Sequence, residues 1–124
     1  MIDIMKGLAD ENRLRIVHLL LQNQLCVCEL EYVLQMSQTN VSRHLAKLKT
    51  AGIVQSFKQA QWINYKISPM FLEHEELLVS YLKDGFLKNS MYQKDLEELK
   101  QHQDQWQGCV VPSRKILQQK RENN

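Results

Sequence analysis

The sequence predicts a mainly α-helical fold that carries one small β-hairpin. Three observations predict it. Apolar residues recur at helical spacing from Ile2 to about Thr50; the period switches to two between Ile53 and Ile67; helical spacing resumes after Pro69.

Ile2, Met5, Leu8 and Ala9 fit a short first helix. Asp10 is a good N-cap for a second, because its short carboxylate can accept from the first free backbone N–H groups, and Glu11 follows in the first turn. Leu14, Val17 and Leu21 make its inward stripe, widened by Ile16, Leu19 and Leu20. A third helix is expected over about Cys26 to Gln35, burying Leu30, Val33 and Leu34. Gln35-Met36-Ser37 is a short link, and Ser37 caps a fourth helix whose inward residues are Val41, Leu45 and Leu48. Ala51-Gly52 ends it, with glycine supplying a left-handed turn. Ile53 to Phe57 reads as a strand, Lys58 to Gln61 as a turn, and Trp62 to Ile67 as a half-buried strand with Ile63, Tyr65 and Ile67 set against Asn64 and Lys66. Pro69 opens a fifth helix with Leu72, Val79, Leu82 and Phe86 along one side, which Asp84-Gly85 is expected to break or bend. A sixth helix is expected over Met91 to Trp106, and Gly108 and Pro112 stop regular structure.

Helix, short turn, helix, then hairpin is the layout of a winged helix-turn-helix. The first and fifth helices carry more apolar surface than one small domain can cover, which implies a homodimer joined through these terminal helices. The winged-helix and dimerisation unit is expected over 1–88, and a C-terminal helix with a loose tail over 89–124. At 124 residues the chain suits one domain with a modest core. No apolar run approaches the roughly 18 residues of a membrane span, and the first residues lack a signal-peptide pattern. A cytoplasmic location is therefore expected, with the three cysteines as reduced thiols open to metal or redox chemistry.

The net charge of +2 conceals a sharp asymmetry. From Tyr32 to Leu72 there is no Asp or Glu, while Arg43, Lys47, Lys49, Lys58 and Lys66 all fall there; nine of the fourteen acids lie from Glu73 onward. An acid-free basic span is what a surface meeting phosphate needs. In a winged helix-turn-helix the fourth helix enters the major groove of double-stranded DNA. Ser37, Gln38, Thr39, Asn40, Ser42, Arg43 and His44 lie at its exposed N-terminal end. Gln and Asn can bond adenine in bidentate fashion and Arg guanine. Lys47 and Lys49 would contact phosphate. Lys58 and Gln61, near the hairpin tip, would reach an adjacent phosphate or the minor groove. A two-fold dimer implies a near-palindromic operator with half-sites about one turn (roughly 34 Å) or a multiple apart. An enzyme is not indicated, for there is no Gly-rich phosphate loop and no Ser-His-Asp set. A winged helix used only for protein contacts would lack salt-sensitive DNA binding.

Four motifs in order resemble the arsenic-repressor (ArsR/SmtB) family of metal-sensing transcriptional repressors. Lys6 to Ile16 is similar to its LADxTRLxIL opening, Gln24 to Leu30 to its ELCVCDL metalloid box, Ser37 to Leu45 to its SQxxxSRHL reading helix, and Trp62 to Ser68 to its wing strand. The resemblance runs from about residue 4 to 70. It implies a homodimeric repressor of the arsenite-responsive Cys-Val-Cys type, which holds operator DNA when ligand-free and releases it on binding arsenite or antimonite, As(III) or Sb(III), with no organic cofactor. The family pattern places a third cysteine where this chain has Glu31. Trivalent arsenic prefers three thiolates, and a carboxylate substitutes poorly. Cys109 is then the candidate third ligand beside Cys26 and Cys28; the other reading is that two thiolates and a small anion or thiol suffice. Residues two apart on a helix point about 200° apart, so one atom bridging Cys26 and Cys28 is expected to unwind the start of the third helix. The pair could instead sense oxidation, cadmium or lead. His74 and His102 read as surface residues, and His18 as a partly buried, satisfied histidine.

Overall fold

The computed structural model describes residues 1–104. These form seven helices and three strands, in the order α1 (Ile2–Leu8), α2 (Glu11–Gln22), β1 (Leu25–Cys26), α3 (Val27–Leu34), α4 (Gln38–Thr50), β2 (Val54–Gln59), β3 (Trp62–Ile67), α5 (Pro69–His74), α6 (Glu76–Leu87) and α7 (Ser90–Asp104). Cys109, Trp106 and the expected tail lie outside the described residues.

The caps form where the sequence offers them. Asp10 Oδ1 accepts from the backbone N–H of Asn12 at 2.8 Å and of Arg13 at 3.1 Å, opening α2. Ser37 Oγ accepts from Asn40 N–H, opening α4. Gly52, at φ 79°, turns the chain out of α4 in a conformation only glycine adopts without cost. Ile16, Leu19, Leu25, Leu30, Leu45, Leu48 and Ile53 are fully buried and join α2, α3, α4 and the start of the hairpin in one core. α1 closes on α4 at Gly7, where an added Cβ would stand 3.0 Å from Ile53 Cδ1 and 3.1 Å from the Ala51 Cβ. Arg13, itself buried, donates from Nε to Gly7 O at 2.7 Å and from Nη2 to Lys6 O at 3.2 Å, satisfying the last carbonyls of α1.

Three features differ from the sequence reading. The third helix starts one residue later, because Cys26 is extended and belongs to β1, which pairs antiparallel with β3 through Leu25↔Tyr65 and Cys26↔Asn64. The hairpin is thereby part of a three-stranded sheet ordered β1-β3-β2. With β1 along its edge, β3 becomes central, and burial does not follow the expected alternation. Asn64 and Ile67 are buried, and Ile63, near the hairpin tip beyond the core, is 55% exposed. The expected fifth helix is two, broken at Glu75 (φ −118°, ψ 40°), while Gly85 continues α6 unbroken. α7 packs along α3 and α2. Arg15 clamps it there, donating to Asp95 Oδ2 and Oδ1 at 2.8 Å each.

Candidate nucleic-acid interface and cysteine cleft

The core stripe of α4 (Val41, Leu45, Leu48) fixes which side of the helix faces out. Ser37, Gln38, Thr39, Asn40, Ser42, Arg43 and Lys47 are all exposed, so the geometry brings these expected DNA-facing side chains to one surface. His44 is different. Its ring is half-buried, with Nδ1 3.3 Å from Arg13 Nη1. A guanidinium can only donate, so Nδ1 accepts and the proton sits on Nε2. Burial, with Arg13, Lys47 and Arg43 nearby, lowers the His44 pKa against the pull of Asp10. His44 therefore joins α4 to α2 as well as facing the helix surface. Lys49 turns sideways to donate to Ser56 Oγ at 2.9 Å, tying α4 to β2. Lys66 lies 5.5 Å over the Phe57 ring.

The hairpin is tight. Gln59 pairs with Trp62, leaving Ala60 and Gln61 as the two-residue turn. Ala60 takes φ 57°, a left-handed conformation that the sequence did not advertise with Asn or Gly. Lys58 and Gln61 are exposed at this tip.

The cysteine box opens α3. Cys26 is its N-cap, with a reciprocal arrangement in which the Cys26 side chain accepts from the Glu29 backbone while Glu29 Oε1 accepts from Cys26 N–H at 3.2 Å. Cys26 is buried, and burial pushes its thiol up to about 11, with the Glu29 carboxylate adding to the rise and backbone N–H groups opposing it. At neutral pH it is a protonated thiol. Cys28 is half-buried in the first turn of α3 and is disulfide-bonded. Because Cys26 is extended rather than helical, the opposed orientation expected of two residues on one helix does not arise. Both cysteines line a single cleft of about 420 Å³, with Val27 and Glu31 from α3, Gln38 and Ser42 from α4, and Gln61, Trp62, Ile63 and Tyr65 from the hairpin. Cysteine box, reading helix and wing thus share one space.

Sequence reasoning did not single out several neighbours of this cleft. Glu29 is completely buried under the cysteine box. The Trp62 Nε1 and Asn64 Nδ2 donors are buried without a hydrogen-bond partner among the described residues. His18 is fully rather than partly buried, and His102 is buried and stacked on Tyr32 rather than on the surface. His74 is exposed on α5. Among the described residues no three His, Cys, Asp or Glu side chains are grouped to hold a metal ion. Nor is any helix there long and apolar enough to cross a membrane.

Helix, turn, helix and hairpin with an exposed α4 together define a winged helix-turn-helix fold. Residues 10–56 match the family model described as bacterial regulatory protein, arsR family. The chain is 48% identical over 69 residues to the arsenical resistance operon repressor of Escherichia coli K12, covering 55% of this chain and 59% of that protein. HlyU from Vibrio cholerae N16961 superposes with a TM-score of 0.56 at 37% identity, covering 65% of this chain and 88% of that one. The homodimeric winged helix-turn-helix DNA-binding domain of Mb0332 from Mycobacterium bovis superposes with a TM-score of 0.59 at 28% identity, covering 70% of this chain and 81% of that one. The chain belongs to the arsR family of bacterial regulatory proteins. It spans between half and three-fifths of the length of the curated arsenic-resistance regulators it matches.

Proposed function

We propose that the protein is a metalloid-responsive transcriptional repressor, a homodimer that holds operator DNA when ligand-free and releases it when arsenite or antimonite binds at Cys26 and Cys28. The observation that carries this reading is the shared cleft, lined by both cysteines, by Gln38 and Ser42 of the reading helix, and by Gln61 and Trp62 of the wing. The names of the arsenic-resistance relatives support the class of inducer.

The donor set suits a soft, trivalent centre. Cys28 is disulfide-bonded in the structure; once that bond is reduced, Cys26 and Cys28 present two thiols to the cleft, and the carboxylate of Glu31 is the wrong chemistry for a third bond. Cys109 supplies the third thiol, from the same chain or across the dimer. In the reduced protein each thiol passes its proton to a hydroxyl of arsenious acid, an S–As bond replaces the As–O bond, and water leaves; no electron changes hands. Cys26 must give up its role as acceptor for the Glu29 backbone to make that bond. A ligand seated between α4 and the hairpin then shifts reader against wing, so DNA-competent and ligand-bound geometries compete. This competition is the differential affinity that release requires.

Gln38, Thr39, Asn40, Ser42 and Arg43 read base edges from α4. Ser37 caps that helix, His44 fixes it against α2, and Lys47, Lys58 and Gln61 meet the backbone. The second copy docks on the apolar faces that α1 and α5–α6 leave uncovered. Ile2 and Met5 are exposed on the first, and Met70, Leu77 and Tyr81 on the second. Arsenite titration of the reduced protein on its own promoter DNA, followed by fluorescence anisotropy, tests the reading. Wild type should release the DNA while Cys26→Ser stays bound, and Cys109→Ser should need more arsenite. Cadmium in place of arsenite as the effective inducer would overturn the metalloid assignment.

A further inference from the structure

We infer that the last turn of α7 is a latch on the cysteine box, with Gln103 and His102 as positioning residues that set how readily Cys26 is released to a ligand. The inference rests on the proposed inducer site at Cys26. It concerns an element outside residues 10–56, the part that the family model matches.

The connection is a short chain of contacts. Gln103 Nε2 donates to Glu29 Oε2 at 3.3 Å. The other oxygen of the same carboxylate, Oε1, accepts from Cys26 N–H at 3.2 Å, and the Cys26 side chain accepts in return from the Glu29 backbone. Glu29 is 0% exposed, so its carboxylate depends on protein donors in place of water. One turn away on α3, the Tyr32 ring stacks on His102 with centroids 4.0 Å apart and planes 23° off parallel. The first half of α7 is held independently, by the paired Arg15–Asp95 hydrogen bonds and by buried Tyr92. The Gln103 and His102 contacts to α3 lie at the end of α7, beyond buried Leu99.

A ligand that draws Cys26 out of its cap displaces the Glu29 carboxylate, and the Gln103 hydrogen bond resists that displacement. By reciprocity, whatever weakens the grip of Gln103 eases ligand entry, and whatever strengthens it hinders entry. The closed box and the ligand-bound box are the two states, and α7 biases the equilibrium between them.

Two substitutions of similar length separate a latch from ordinary structural damage. Gln103→Met removes the donor, and Gln103→Lys replaces it with a cation facing the carboxylate. The arsenite concentration for half-release of promoter DNA should fall about three- to tenfold in Gln103→Met and rise in Gln103→Lys, the size expected for one hydrogen bond. Hydrogen exchange gives the second readout. Arsenite should speed exchange of the amides of 99–104 in wild type and leave them unchanged in Cys26→Ser. Shifts of the same sign in both Gln103 variants, or unchanged exchange in 99–104 while arsenite releases DNA, would overturn the latch and leave the inducer site standing. An arsenite response undiminished in Cys26→Ser would overturn the inducer site, and the latch with it.

Discussion

His18 sits where α2, α6 and α7 meet, its ring 4.9 Å from that of Phe86 and 5.4 Å from that of Tyr92, with Nδ1 buried and without a hydrogen-bond partner among the described residues. Burial lowers its pKa against the pull of Asp95. Above the unfolded value near 6.5 both states are neutral and stability does not depend on this group. As pH falls through about 6.5 the unfolded chain takes a proton that the folded one refuses, and stability is lost. His44, also lowered by burial, acts in the same direction. Urea unfolding should therefore show a lower midpoint at pH 5.5 than at pH 7.5, and His18→Leu should flatten part of that dependence; an unchanged slope would place the titrating group elsewhere. At this scale the caps Asp10 and Ser37 and the helix-opening Pro69 were legible, because each acts on its own chain neighbours. The capping role of Cys26 was not, since a two-residue strand has no period to read. Nor was the Glu29–Gln103 contact, whose partners lie 74 residues apart.

The helix-turn-helix could be read from sequence because α2, α3 and α4 each repeat their apolar residues over two turns or more. The break at Glu75 carries no Gly or Pro and left no such trace, whereas the Gly85 that suggested a break is tolerated inside α6. The expected roles of α4 and the hairpin differ in kind. Arg43 is exposed on the reading face and Lys58 at the wing tip. Arg43→Ala should cost about 1–3 kcal/mol on the preferred operator and relax its sequence preference, while Lys58→Ala should weaken all sequences alike and reduce the salt slope of binding by about one. Competition binding across salt concentrations and mutated operators checks both. Equal losses on every sequence for Arg43→Ala would move the reader off α4.

For the whole molecule the unfinished surface is apolar. Leu77 is 88% exposed and Tyr81 75%, on the outer face of a helix whose other side buries Val79 and Phe86. A lone apolar residue on a surface needs no explanation, but a row of them along α5–α6 marks a partner face. Leu77→Asp with Tyr81→Asp should give a folded monomer by sedimentation. Because a monomer engages one half-site at a time, its DNA affinity should fall more than about tenfold. A dimer that survives this pair of changes would shift the interface to another face. The uncovered apolar faces were legible as surplus hydrophobicity; the cleft that joins the cysteine box, α4 and the hairpin was not, since it is assembled from three segments that only the fold brings together.

In the proposed mechanism one cleft serves both inducer and DNA reader, so that each ligand disfavours the other. Calorimetric titration of the reduced dimer with arsenite, with and without saturating operator duplex, measures this directly. Coupling is reciprocal, so DNA should weaken arsenite binding by the same factor by which arsenite weakens DNA binding. Arsenite affinity that is identical with and without operator would show that the two ligands do not compete through this cleft.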